Sequence, residues 1–407
     1  MEAPPVTIHL LACFHTQLKQ TFSGCAFSGK SLRFSKMMHL IPNYRVVEYS
    51  NAGSESEADE KVVMLNEDEF KQFYPPQKPH EFHGSYATIG ERGWPLFNAR
   101  LIMALRDHIQ PGDIIGHQFG RAHQQIPSLF PNNVNVELGI GYQDKPFGCF
   151  RIFESEAWKH YHFGMCDQDP LLKNDRGMNR IYSFVAPNYF DLDDWPYFGP
   201  EQNEDYVIFM GRITPEKGMQ TLVEIIRADE GKTRFVFAGQ GNFDELIAKQ
   251  IIRKPNPFVG GVKAQVEFVG PVYGRDRAAL VGKARCMFSG TNFVEPFCGS
   301  AVESMLTGTP ALGSPFGAFT ETINHGLTGY RCHTLGDWLA AIDASKYLNR
   351  KTVSDIARSK YSLEAIAPLY DAAFRQIADL SAEGWYSRAS HHIPKRRREY
   401  GFVLRRV

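Results

Sequence analysis

Hydrophobic positions along this chain fall into two patterns. Apolar-rich runs of about four to nine residues, several with polar or charged members, read as strands of a parallel sheet. In the first half these are Val6 to Cys13, Arg45 to Tyr49, Asp113 to His117, Val134 to Leu138 and Phe150 to Trp158. In the second half they are Val207 to Met210, Arg234 to Ala238, Val266 to Val269 and Cys286 to Phe288. Amphipathic stretches alternate with them. Lys30 to Leu40 reads as a helix, and Trp94 to Ile109 carries Leu101, Ile102, Leu105 and Ile109 at helical spacing before Pro111-Gly112 stops it. Thr214 is a good N-cap and Pro215 a good first residue for a helix carrying Leu222, Val223 and Ile226. Further helices are expected at Arg275 to Lys283, at Ala301 to Leu306 and from Leu335 on, with a long amphipathic stretch from Leu363 to Leu380. Such alternation predicts an α/β fold of doubly wound parallel sheets.

Polar stretches divide this pattern. Asn51 to Glu60 reads as a solvated loop, Phe70 to His83 as a proline-containing connector, and Asp191 to Asp205 as a linker. The expected organisation is a first domain over residues 1–187, a second over 188–384 and a terminal segment over 385–407. Lys+Arg and Asp+Glu balance at 45 each, so no global field draws in nucleic acid. The seven cysteines show no CxxC pair or zinc spacing, which fits a reduced, cytoplasmic compartment. Val6 to Ala12 is too short and lacks the basic flank of a signal peptide, and no apolar run approaches the roughly 20 residues that span a bilayer. The basic residues Lys395 to Arg398, Arg405 and Arg406 suit a solvated tail or a weak contact with an anionic surface.

Chemistry concentrates in residues 285–313. The strand there runs into a loop with Glu295, then into a short helix containing Glu303. Such a turn sets backbone N–H groups at the carboxyl edge of a parallel sheet, where α/β proteins hold phosphates. Glu295 sits among Phe293, Val294 and Phe297, where a carboxylate needs a partner. Ser300-Ala301-Val302-Glu303 also fits a capping box, which would give Glu303 a structural role. Arg212 and Lys217 flank another strand-to-helix turn, placed to meet a diphosphate or, failing that, solvated. Gly24, in the small-residue run after the first strand, allows a ligand near the backbone or makes an ordinary turn. His117 and His123, with Tyr142, are candidates for an acceptor side, each histidine having a structural alternative. His160 and His162 have the spacing of a strand or loop, without the companions of a metal site.

Four segments together resemble retaining glycosyltransferase family 4, whose fold is the two-domain GT-B type. They are Glu295 and Glu303 as a Glu-x7-Glu pair, Gly211-Arg212 with Lys217-Gly218, Pro187-Asn188 between the domains, and Gly317 to Tyr330. Their order and spacing follow the family over roughly residues 185–335. The resemblance implies two Rossmann-like domains facing across a cleft, with a terminal segment crossing back to the first. It implies a UDP- or GDP-type nucleotide-sugar donor, no cofactor and no metal, and a carbohydrate, lipid-linked or other hydroxyl acceptor. Arg212 and Lys217 would hold the diphosphate, Glu295 the sugar hydroxyls and Glu303 the ribose. Gly211, Phe297, Cys298, Gly299 and Ser300 would complete the donor site. Cys298 stands where the family commonly has glycine. At Gly141-Tyr142 the family often has a donor-contacting histidine. Rival expectations are a GT-B epimerase or hydrolase, needing an acid–base set from His117, His123 and Glu137, and a non-catalytic sugar-nucleotide-binding protein.

Overall fold

The computed structural model describes residues 5–22, 25–74, 76, 88–90, 92–147, 150–168, 182–248 and 265–383. The first half alternates strands and helices as the apolar runs predict. In chain order it contains β1 (Val6–Leu11), α1 (Ala26–Met38), β2 (Tyr44–Ser50), β3 (Glu60–Val63), α2 (Glu67–Phe73), α3 (Trp94–His108), β4 (Ile114–His117), α4 (Ile126–Leu129), β5 (Val134–Ile140), β6 (Phe150–Phe153), α5 (Glu156–Gln168) and β7 (Ser183–Val185). Its strands form one parallel sheet in the order β3-β2-β1-β4-β5-β6-β7.

The second half contains β8 (Tyr206–Met210), α6 (Met219–Asp229), β9 (Arg234–Ala238), β10 (Gln265–Gly270), α7 (Gly274–Gly282), β11 (Cys286–Ser289), α8 (Gly299–Leu306), β12 (Ala311–Gly313), α9 (Phe319–Thr322), β13 (Gly329–Arg331), α10 (Leu335–Ser345), α11 (Arg350–Tyr361) and α12 (Leu363–Glu383). Its parallel sheet has the order β10-β9-β8-β11-β12-β13. Both orders reverse once, between β1 and β4 and between β8 and β11. The crevice outside the carboxyl ends of strands at such a reversal is the usual ligand site of open α/β sheets.

Local chemistry moves three boundaries from the sequence expectation. The strand expected over Phe150 to Trp158 ends at Phe153, because the Ser155 hydroxyl accepts the Trp158 N–H and opens α5. His160 and His162 therefore lie on a helix. The expected connector from Phe70 begins inside α2, which an Asn66–Glu69 capping box opens at its N-terminus; residues 77–83 lie outside the described residues. The expected solvated loop at 51–60 begins on a buried Asn51, whose amide donates to the Phe14 and Thr16 carbonyls.

The return of the chain to the first sheet also comes earlier than expected. The segment expected to make that return, 385–407, lies outside the described residues. Instead α12, placed by sequence in the second domain, packs its buried face on the first sheet. Leu363, Ile366, Tyr370, Phe374 and Ile377 share one core with Ile8, Leu10 and Val46 of the sheet and Phe34 of α1. The amphipathic spacing of 363–380 specifies the helix, but not which sheet receives its apolar face. Among the described residues no helix is long and apolar enough to cross a membrane.

If α12 is part of the first core, emptying it there destabilises the protein strongly. Phe374→Ala should cost about 3–5 kcal/mol, as a truncation at a fully buried aromatic does. Urea unfolding, followed by fluorescence and circular dichroism, measures this loss.

Candidate functional site

Two neighbouring strands of the second sheet, β8 and β11, supply the turns of the site. After β8 the chain passes through Gly211 and Arg212 into a short turn of 3-10 helix, Pro215–Lys217. Gly218 follows with φ +79°, and a Cβ there would lie 1.8 Å from the Gly290 carbonyl oxygen. Glycine is therefore what lets the β8 turn press against the chain leaving β11. That contact brings Lys217 to Glu295: Nζ donates to Oε1 at 2.7 Å, and the ammonium also lies 4.8 Å from the centre of the Phe293 ring.

Glu295 is only 3 % exposed. Burial pushes its carboxyl up from the ordinary range, Lys217 pulls it back, Glu154 raises it further and Arg212 offsets part of that rise. The pair thus holds a carboxylate and an ammonium together at the edge of a cleft. Lys217 has three donors and can bond a second anion while keeping Glu295.

Cys298 precedes α8 with φ 64° and ψ 70°, a left-handed conformation that glycine adopts without a steric penalty. This accounts for a glycine-like role at 298. The buried thiol is pushed up to about 11. Because the helix begins at Gly299, Ser300 and Glu303 do not form the expected capping box. Glu303 Oε2 instead accepts two bonds from Arg277, one from Nε at 3.0 Å and one from the guanidinium NH2. The N–H groups of Gly299 and Ser300 open α8 beside the two cations, an arrangement suited to an anion.

Gly211, Arg212, Lys217, Glu295, Phe297, Cys298, Gly299, Ser300 and Glu303 all line one cleft of about 470 Å³ between the sheets. Gly24 lies outside the described residues. His117 and His123 do not line the cleft. Both are fully buried, His117 Nε2 against Asn135 Oδ1 and His123 Nε2 against the Ala12 carbonyl. The Tyr142 hydroxyl donates to Glu137 beside the cleft rather than within its lining. The apolar strand end and packed loop around these residues explain why edge histidines became core groups.

The first domain contributes other residues. Lys30 and Arg33 of α1, Gly141 after β5 and Glu154 after β6 line the same cleft. Lys30 Nζ donates at 2.6 Å to both Glu154 Oε1 and the Gly139 carbonyl, with both charged side chains almost fully buried. Position offered a signal: Glu154 directly follows an apolar strand, as Gly211-Arg212 follow β8. Interdomain bonds hold the faces together. Ser155 Oγ donates to the Pro296 carbonyl at 2.7 Å, and Glu321 accepts the Glu156 and Ala157 N–H groups that open α5.

Residues 196–357 match the family described as glycosyl transferases group 1. An uncharacterized glycosyltransferase of Methanocaldococcus jannaschii is 27 % identical over 159 residues, which span 37 % of this chain and 39 % of that protein. Solved structures cover nearly all of the chain. AviGT4, a glycosyltransferase involved in avilamycin A biosynthesis, aligns over 92 % of this chain and 98 % of its own at TM-score 0.62 and 17 % identity. Anabaena HepE, solved in complex with UDP and glucose, aligns over 92 % and 99 % at TM-score 0.59 and 16 % identity. Sucrose-phosphate synthase of Thermosynechococcus elongatus aligns over 91 % and 99 % at TM-score 0.60 and 15 % identity.

The buried histidines give a pH prediction. Burial pushes His117 down to about 4 and His123 down to about 3, while exposed histidines of an unfolded chain titrate near 6.5. Between those values the unfolded chain binds more protons, so stability is full above pH 6.5 and falls as pH drops toward 4. His123→Gln, which keeps a donor for the Ala12 carbonyl, should flatten that fall. Urea midpoints of wild type and variant at pH 7 and pH 5 check it. With two parallel sheets whose carboxyl edges face across one cleft, this chain has the GT-B fold of the aligned glycosyltransferases, and the segment matching glycosyl transferases group 1 lies in its second half.

Proposed function

We propose that the protein is a retaining glycosyltransferase of the family 4 type, acting on a nucleotide-diphospho-sugar donor and a hydroxyl acceptor. One observation carries this reading: Arg212, the Lys217–Glu295 pair and the start of α8 meet at the strand-order reversal of the second sheet. In it, Arg212, Lys217 and the Gly299 and Ser300 amides hold the diphosphate. Charge on the leaving oxygen grows as the glycosidic bond breaks, and fixed cations stabilise that growth more than they stabilise the bound donor. Glu295, kept beside Lys217, accepts sugar hydroxyls. Glu303 uses Oε1 for the ribose while Oε2 stays with Arg277. The acceptor is a carbohydrate, lipid-linked or other hydroxyl compound entering from the first-domain side, in the cytoplasm. UDP and glucose bound to HepE support a UDP-type donor.

Release of free nucleotide from a panel of UDP- and GDP-sugars tests the reading. Turnover with at least one donor, with the anomeric configuration of the product retained, is expected. Donor binding without release, across a screen of hydroxyl acceptors, would favour a sugar-nucleotide-binding protein. Arg212→Ala and Lys217→Ala should each lower kcat by more than they weaken donor binding; an unchanged kcat with raised KM would make them uniform binders. Since side-chain cations do the work of charge compensation in this proposal, EDTA should leave the rate unchanged. A rate lost with EDTA and restored by Mg²⁺ or Mn²⁺ would remove that part of it.

A further inference from the structure

The first domain presents a second carboxylate to the cleft that the proposed chemistry has not used. Glu154 stands at the carboxyl end of β6 and is 5 % exposed. Its Oε1 is fixed by Lys30, which is itself 3 % exposed and anchored on the Gly139 carbonyl. Its Oε2 takes no bond among the described residues. The neighbouring strand leaves room for it: at Gly141 an added Cβ would lie 2.3 Å from Glu154 Oε2. Glycine at 141 and the carboxylate of 154 therefore share one space, and the carboxylate occupies it.

The position of this group is set by the second domain as well. Ser155 bonds the Pro296 carbonyl, so Glu154 and Glu295 are the chain neighbours of the two ends of one interdomain hydrogen bond. They face the same cleft from opposite sides, and the charge on Glu154 is felt at Glu295. Two like charges so placed repel each other and favour a ligand that donates hydrogen bonds to both. A neutral polyol does so, whereas an anionic group there adds a third negative charge. A buried cation behind Glu154 keeps that carboxylate an acceptor and fixes its direction.

We infer that Glu154, held by Lys30 in the space left by Gly141, is a specificity-determining residue that accepts hydroxyl groups of the transferred sugar from the first-domain side, opposite Glu295, and selects a neutral hexose. This rests on the nucleotide-sugar reading above. The sugar then bridges the two domains, one carboxylate from each, while the nucleotide stays on the second.

The test separates sugar from nucleotide. UDP and GDP, alone and as their glucose, galactose and mannose conjugates, are titrated calorimetrically into wild type, Glu154→Gln and Gly141→Ala. Gln keeps a carbonyl acceptor for Lys30 but turns an amide N–H, a donor only, toward the sugar in place of the second carboxylate oxygen. The Gly141→Ala methyl displaces the carboxylate while retaining both charges, so the inference stays testable should Glu154→Gln fold poorly. Thermal melting verifies each fold. The expected result is that one hexose conjugate binds wild type more tightly than its bare nucleotide. Both variants should then keep nucleotide affinity within about twofold and lose about tenfold or more for the conjugate. Equal losses for nucleotide and conjugate, no loss in a folded variant, or no gain from any hexose in wild type would overturn the inference. Should wild type bind none of the nucleotides or conjugates, the donor reading itself fails and this inference falls with it.

Discussion

A carboxylate removed from water must be paired or protonated, and Glu295 meets that constraint through Lys217. The pair spans two strands that are neighbours in the sheet but far apart in sequence, so it exists only when the turn after β8 and the loop after β11 are both in place. Gly218 permits that closeness, the left-handed Cys298 turns the chain into α8, and the cleft edge follows from the two. Breaking such a pair by removing one partner costs more than the pair is worth, because the remaining charge stays buried. The same group that anchors the loop thus also lines the cleft.

The two domains meet through polar contacts as well as packed side chains. Glu321 closes the open N–H groups of α5, a capping role filled from the other domain. Phe190 pairs its backbone with Tyr361 and Leu363, and its ring stacks on Phe297 at 6.3 Å. These contacts tie the chain crossing between the domains to the wall of the cleft. A change in how the domains approach each other therefore alters the lining of the site directly.

The second-domain half of the site was legible because its parts lie in contiguous strand-turn-helix segments. Arg212 and Lys217 announce themselves by following an apolar strand, and Glu295 by standing among aromatic residues. The first-domain half was not, since Lys30 and Glu154 are 124 residues apart and only the sheet order brings them together. Lys30 has no local pattern that distinguishes it from a surface charge, and Glu154 has only its place at the end of an apolar strand. For His117 and His123 the strand-end position suggests an edge, while packing over that edge buries both side chains away from the cleft lining. At Glu303 a tetrapeptide pattern implied a cap, but the left-handed residue before Gly299 starts the helix too early for it. Whether an amphipathic helix returns to the first sheet, as α12 does, is likewise a question of tertiary partners rather than of period.

The placement of α12 bears on how the protein comes off the ribosome. The first sheet is synthesised early, yet part of the core that covers it comes from residues 363–377. Until those residues emerge, Ile8, Leu10, Val46 and Phe34 lack their late-arriving cover. The core over the first sheet is therefore complete only once residues 363–377, which follow the whole second sheet in the chain, have been made. Such an interval is where a nascent protein depends most on chaperone binding.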